Sequence, residues 1–217
     1  VVHLDIKPSN LLLPRGADGN ERIVLIDFGL SRHAQLPALL AEQFHIPMGT
    51  APYIAPEQVL GVRSDPRSDL FALGVTLYHL ATAQRPFGFP GSQRGLRRRF
   101  YQDPVPPRSL VAAIPRWLQE TILRCLEVDP DARHPTAAQL ALDLQHPEQV
   151  TLTGRAERLQ RAGRIERARR WWRALGMEPE RISARAAQAA RAPLIMAALD
   201  LKQPDPALDL ALRDTVQ

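Results

Sequence analysis

The chain has 217 residues, of which 45% are hydrophobic and 24% charged, with a formal net charge of +5. This composition is typical of a globular chain and excludes an intrinsically disordered one. No apolar run reaches the roughly 18 residues of a membrane-spanning helix, and the single cysteine, Cys125, has no disulfide partner. A lone thiol and an N-terminus without a secretory signal favour a cytoplasmic location.

The first predicted element is a β-hairpin. Two short apolar runs, residues 11–13 and 23–26, flank a turn-forming stretch rich in Gly, Asp and Pro at 14–20. Apolar spacing and capping residues then predict helices over residues 69–80, 117–126 and 136–144. Residues 1–145 are therefore predicted to form one mainly α-helical domain with a small β-hairpin.

Residues 146–217 form a second segment, rich in Arg and Ala. Arginine recurs every third residue from position 155 to 173, a spacing that distributes it around a helix. We expect a solvated or domain-bridging helix there, and no contact of residues 150–175 with nucleic acid or membrane. A last helix is predicted from residue 205. Two Glu–Arg pairs have the spacing of surface ion pairs, Glu157–Arg161 and Glu166–Arg170.

Polar side chains on either side of the hairpin indicate a phosphate-handling site. Asp5 and Asn10 precede the first strand and Asp27 follows the return strand, so the hairpin brings them to the same end. Two carboxylates and an amide oxygen suit a hard cation such as Mg2+ that also carries phosphates. Lys7 would neutralise phosphoryl charge. The spacing therefore predicts a cation site for phosphoryl chemistry.

Five motifs occur in a fixed order. They are His3-Leu4-Asp5 with Asn10, Asp27-Phe28-Gly29, residues 49–57 ending in Ala55-Pro56-Glu57, residues 68–74 with Asp69, and residues 129–136 with Arg133. Together they resemble the protein kinase family, specifically the bacterial serine/threonine kinases of eukaryotic type. The resemblance covers residues 1 to about 145 and implies a protein-kinase-like C-lobe followed by an Arg/Ala-rich helical extension.

The resemblance implies an ATP-dependent serine/threonine protein kinase with four site residues. Asp5 would accept or orient the proton of the substrate hydroxyl, and Lys7 would contact the transferred phosphate. Asn10 and Asp27 would hold Mg2+, with Mn2+ as an alternative ion. The partner would be a protein with a Ser or Thr acceptor.

Two further positions are implied to contact ligands. Leu12 would support the adenine ring from below, and Thr50 would position the protein substrate. Lys7 and Thr50 together resemble the serine/threonine type. The arginine that usually precedes the catalytic Asp is Leu4 here, so we expect activity to be independent of activation-loop phosphorylation.

Five family residues are expected to be structural. Glu57 and Arg133 resemble a buried ion pair that clamps the activation segment to the helical lobe. Asp69 would accept backbone hydrogen bonds from the catalytic loop. His3 and Phe28 would pack in the internal stack that aligns this loop.

No glycine-rich loop, strand lysine or hinge precedes His3. The resemblance therefore implies an N-lobe outside this sequence, and the chain alone is expected to turn over ATP slowly or not at all. A start at Val1 favours a longer protein, and a further C-terminal domain is a hypothesis. The alternatives are a pseudokinase or scaffold and a small-molecule phosphotransferase of the aminoglycoside type. The arginine cluster at residues 94–99 is interpreted as a solvated face.

Overall fold

The structure is a computed structural model that describes residues 1–14, 22–32, 47, 49–62 and 65–175. Two short strands, β1 (Leu11–Leu12) and β2 (Val24–Leu25), pair antiparallel with Leu11 opposite Leu25. Helices make up most of the remaining secondary structure. The predicted fold class, mainly α-helical with a small β-hairpin, is confirmed. Within the described ranges, no helix is long and apolar enough to cross a bilayer.

Eight α-helices follow the hairpin in the part of the chain that the structure describes. They are α1 (Pro56–Val59), α2 (Arg67–Thr82), α3 (Gln93–Leu96), α4 (Pro107–Leu110), α5 (Arg116–Cys125), α6 (Ala137–Gln145), α7 (Gly154–Glu157) and α8 (Arg164–Leu175). The three predicted helices correspond to α2, α5 and α6. Helix α6 begins as its sequence predicts, because the Thr136 hydroxyl accepts a hydrogen bond from Gln139 N at 3.1 Å. The 3-10 helices are Pro8–Asn10, Arg97–Phe100, Pro130–Ala132 and Pro147–Gln149.

Helix α2 lies at the centre of the core. Its Phe71, Val75 and Tyr78 are almost completely buried and cluster with Ile122 of α5. The two helices approach closely at Gly74, where an added Cβ would meet the Cβ of Cys125 at 2.5 Å. A residue without a side chain is therefore required at this crossing. Helix α2 is a rigid support for the loops that pack against it.

The Arg-rich extension differs from the expected single solvated helix. The backbone leaves helical geometry at Arg158, which separates α7 from α8. Glu157 therefore pairs with Arg116 of α5 at 3.2 Å and not with Arg161. The other predicted pair, Glu166–Arg170, forms at 3.0 Å. The predicted helix from residue 205 lies outside the described residues.

Polar contacts dock the extension onto the helical core. The buried carboxylate of Glu120 accepts hydrogen bonds from Thr153 N and Ala156 N, both at 3.0 Å. Gln119 donates to the backbone carbonyls of residues 155, 156 and 158. At the far end, Ala174 of α8 is buried in a second apolar cluster. Most described side chains of α8 are exposed, as expected for a solvated helix, but the docked positions are not, because helical periodicity does not register polar partners supplied by another helix.

The arginine cluster at residues 94–99 is also only partly solvated. Arg94 and Arg98 are exposed, as interpreted from the sequence. Arg99, however, has only 2% of its surface accessible. The 3-10 helix Arg97–Phe100 turns this one side chain inward while its neighbour faces solvent. The interpretation as a solvated face is therefore wrong for Arg99.

Candidate active site

The loop that carries Asp5 is held by the central helix. Leu4 adopts a left-handed conformation with φ 67°, which is costly for a residue with a side chain. The Asp69 carboxylate on α2 accepts hydrogen bonds from His3 N at 2.7 Å and Leu4 N at 2.8 Å. Burial raises the pKa of Asp69, although these two N–H groups act in the opposite direction. The loop geometry thus depends on a carboxylate fixed to α2.

The Asp5 carboxylate is surrounded by donors. Its Oδ2 lies 2.6 Å from Lys7 Nζ, and its Oδ1 accepts from Thr50 N at 2.9 Å and Thr50 Oγ1 at 2.8 Å. Lys7 Nζ also donates to Thr50 Oγ1 at 2.8 Å. Burial raises the pKa of Asp5, but the hydrogen bonds from Lys7 and Thr50 outweigh it, and the pKa lies below its usual value. Asp5 is therefore ionised at neutral pH and can accept a hydrogen bond from a hydroxyl.

Asn10 and Asp27 present oxygen atoms at the same end of the hairpin. Asn10 Nδ2 donates to Asp5 O at 3.0 Å and to Asp5 Oδ2 at 3.3 Å, so its Oδ1 is turned to the other side of the amide. Ile26 N donates to Asn10 O at 3.0 Å, which places Asp27 directly beyond this pairing. Asp27 is exposed, and its Oδ1 accepts a long 3.4 Å hydrogen bond from Gly29 N.

These oxygen donors fit a hard divalent cation. Mg2+ takes one or two protein oxygens and fills its other positions with phosphate and water. Within the described residues no group of three or more His, Cys, Asp or Glu side chains forms a closed metal cage. The amide oxygen of Asn10 and the exposed carboxylate of Asp27 are the two groups that could hold such a cation, together with phosphate and water.

His3 and Phe28 pack against each other beside this site. Their ring centroids lie 4.8 Å apart in an edge-to-face arrangement. His3 Nε2 lies 3.1 Å from Ile26 O, and His3 Nδ1 accepts from Asp5 N at 3.3 Å, so His3 links the two halves of the site. Phe28 remains 55% exposed, and Leu12 on β1 is 48% exposed. An apolar surface at Leu12 is thus open to a ligand.

Glu57 and Arg133 form an ion pair with each other. Both residues lie far from Asp5 in the sequence. Their fork-shaped contact has two N–O distances of 2.7 Å, and both side chains are buried. Ser68 Oγ also donates to Glu57 at 2.6 Å, and the Arg133 guanidinium lies 5.1 Å from the centre of the Phe71 ring. The pair connects α1 to the central helix.

A buried Cys–His–Asp arrangement was not anticipated from the sequence. Cys125 Sγ lies 3.5 Å from His134 Nδ1, and His134 Nε2 lies 3.0 Å from Asp143 Oδ2. The order of contacts is that of a nucleophilic triad. Burial raises the pKa of Cys125 to about 12 and lowers that of His134, which keeps the thiol protonated. The arrangement is structural, and it satisfies polar groups inside the core.

The class that this fold and site define is a protein-kinase-like C-terminal lobe. Residues 1–147 match the family described as "Protein kinase domain". The chain belongs to the protein kinase family.

The similar proteins are bacterial serine/threonine kinases. Serine/threonine-protein kinase Pkn1 of Myxococcus xanthus is 36% identical over 172 residues, which cover 77% of this chain and 24% of that protein. Serine/threonine-protein kinase PknB of Mycolicibacterium smegmatis is 33% identical over 144 residues, 66% of this chain and 22% of that protein. PknB of Mycobacterium tuberculosis is 30% identical, with the same coverage. The chain thus spans less than a quarter of the length of these curated relatives.

Proposed function

We propose that the chain is the catalytic C-lobe of an ATP-dependent serine/threonine protein kinase. The observation that carries the proposal is the hydrogen-bonded cluster of Asp5, Lys7, Asn10 and Thr50. Within this cluster, an ionised carboxylate can orient an acceptor hydroxyl and an ammonium group can neutralise phosphoryl charge, two roles that phosphoryl transfer to an alcohol uses. The names of the bacterial relatives support the same activity.

In the proposed reaction, Asp5 orients the acceptor hydroxyl and takes its proton as the acceptor oxygen bonds to phosphorus and the bond to ADP breaks. Lys7 places a positive charge beside Asp5, where negative charge develops on the phosphoryl oxygens. Asn10 and Asp27 would hold Mg2+, or Mn2+ in its place, through the oxygens described above. When bound, ATP supplies the phosphoryl group and Mg2+ neutralises part of its charge.

The proposed acceptor is a Ser or Thr hydroxyl of a protein. Thr50 bonds to both Asp5 and Lys7, so the segment that would position the substrate is tied directly to the catalytic carboxylate. Leu12 would contact the adenine ring, and an N-lobe outside this sequence would cover the phosphates. These assignments rest on the resemblance of this chain to the protein kinase family.

The test uses the full-length natural protein with radiolabelled ATP, Mg2+ and a panel of acceptors. Asp5→Asn should lower the rate of phosphate transfer at least about 100-fold, the usual contribution of a general base. Asp27→Asn should lower the rate of phosphate transfer and raise the Mg2+ concentration that half-maximal residual activity requires. The matched control is Asp129→Asn, because Asp129 is exposed and caps a 3-10 helix in a way that Asn can reproduce.

The acceptor panel separates the alternatives. Transfer to serine and threonine peptides, with little transfer to tyrosine peptides or aminoglycosides, is the expected result. A wild-type protein that binds a fluorescent ATP analogue without transferring phosphate would instead support the pseudokinase or scaffold alternative. Unchanged activity in Asp5→Asn would contradict the proposed role of the carboxylate.

A further inference from the structure

Arg99 is a buried cation without a buried anion beside it. Only 2% of its surface is accessible, and within the described part of the chain no carboxylate forms an ion pair with it. Its Nε donates to Leu96 O and its Nη2 to Ala51 O, both at 3.0 Å. The guanidinium lies 5.6 Å from the centre of the Phe87 ring, which itself stacks on Phe71 of α2.

This environment is costly for an arginine. Burial lowers the pKa of Arg99 to about 10, and Nη1 is buried without a hydrogen-bond partner among the described residues. A charge that is removed from water and not paired is destabilising. The adjacent Arg98 is exposed, so the 3-10 helix could carry a positive charge without burying it. Among the contacts given above for Arg99, the one with Ala51 O is the contact that reaches the loop beside Asp5.

Ala51 lies next to the residue that holds the catalytic carboxylate. Thr50 donates through both its backbone N and its Oγ1 to Asp5 Oδ1. On the other side, Gly49 has φ 119°, and an added Cβ would lie 3.0 Å from Leu4 O, so this loop touches the catalytic loop closely. Residues 49–51 are thus held between the catalytic loop and Arg99.

We propose that Arg99 is a positioning residue for phosphoryl transfer, which fixes the Ala51 carbonyl and thereby holds Thr50 in register with Asp5 and the acceptor hydroxyl. The inference rests on the proposed kinase function. Arg99 has no contact with the catalytic carboxylate itself among the hydrogen bonds described above. Its loss should therefore affect use of the protein acceptor more than use of ATP.

The kinetic test compares Arg99→Met, Arg99→Lys and the exposed control Arg98→Met in the full-length natural protein. Arg99→Met should lower kcat/KM for a serine peptide acceptor roughly 10- to 100-fold, because small misplacements of reacting groups cost rates of this order. The KM for ATP should stay within about twofold of wild type. Arg99→Lys can still donate to Ala51 O and should recover part of the loss. Arg98→Met should match wild type.

A purely structural role predicts different results. Loss of folded protein would lower kcat with every acceptor and leave KM values unchanged, and Arg99→Lys would give no selective recovery. Such an outcome, or unchanged acceptor kinetics in Arg99→Met, would overturn the inference. Since Met replaces an unpaired buried charge with an apolar side chain, the variant is expected to fold, and a thermal melt checks this.

Hydrogen exchange separates this inference from the proposed function. In Arg99→Met, the peptide containing the amides of Thr50 and Tyr53 should exchange faster, because Thr50 N is bonded to Asp5 and Tyr53 N to Thr50 O at 2.8 Å. The same peptide in Arg98→Met should exchange as in wild type. An inactive wild type with this exchange pattern would refute the kinase function and retain the role of Arg99 in holding the loop. Unchanged exchange in Arg99→Met would refute that role.

Discussion

The ion pair between Glu57 and Arg133 provides the largest expected effect of a single substitution on stability. Arg133 is 2% exposed, and its two Nη atoms bond to the two Glu57 oxygens at 2.7 Å. It also donates to backbone carbonyls of Arg67, Glu127 and Val128. Removing one partner leaves the other charge buried and uncompensated, which costs about 3–5 kcal/mol.

Glu57→Gln is the sharpest perturbation, because it keeps the size of the side chain and removes only its charge. For a chain of this length, a loss of about 3–5 kcal/mol corresponds to a fall in melting temperature of roughly 6–20 °C. Urea titration followed by tryptophan fluorescence measures the free energy of unfolding. Arg133→Met and the double variant complete a cycle that isolates the coupling between the two side chains.

The exposed pair Arg116–Glu157 is the matched control. Its side chains are 59% and 57% exposed and its N–O distance is 3.2 Å, so Glu157→Gln should cost about 0–1 kcal/mol. The reasoning depends on burial as the source of the difference. If Glu57→Gln and Glu157→Gln lower the free energy of unfolding by the same amount, that reasoning is refuted.

Three further predictions concern packing, thiol reactivity and acid sensitivity. Gly74→Ala should lower the free energy of unfolding by about 1–3 kcal/mol, because its Cβ would overlap Cys125; urea titration with Gly163→Ala, at an open position, is the comparison. Because burial raises the pKa of Cys125 to about 12, iodoacetamide should label it only after unfolding, as mass spectrometry can detect, and rapid labelling of native protein would argue against its burial. The pKa of Asp5 lies below its ordinary 3.8, so its ionised form stabilises the fold above that pH, and this stabilisation is lost as pH falls through the folded value. In urea titrations from about pH 6 to about pH 3, wild type should lose more stability than Asp5→Asn, whereas parallel losses would contradict this linkage.

Local sequence patterns predicted the elements whose formation depends on interactions between residues close together in the sequence. Helix α6 follows from its Thr136 cap, and α5 from an apolar face at helical spacing. The hairpin follows from two apolar runs and a turn. The Arg-rich segment was the exception, because its docking depends on Glu120, a residue more than 30 positions away in the sequence. No helical periodicity contains that information.

The candidate site was predictable to a similar extent. Motif order and the hairpin indicated that Asp5, Asn10 and Asp27 share one end of the structure. The Asn10 side chain bonds to Asp5, and a backbone hydrogen bond from Ile26 to Asn10 brings the residue before Asp27 alongside. The hydrogen bonds from Thr50 to Asp5 and the inward turn of Arg99 depend on how distant loops pack. Arg99 and Arg98 are identical neighbours in the sequence, and only one of them is buried.

The sequence by itself determined the residue types for phosphoryl chemistry, their order along the chain, and the helices and hairpin that carry them. Only the tertiary structure decided which donors surround the Asp5 carboxylate and which charges lose contact with water. The physical reason is that the local sequence around a charged side chain does not distinguish a position on a solvated face from one in the core. Its environment, and therefore its pKa and its role, is set by groups that folding brings from elsewhere in the chain.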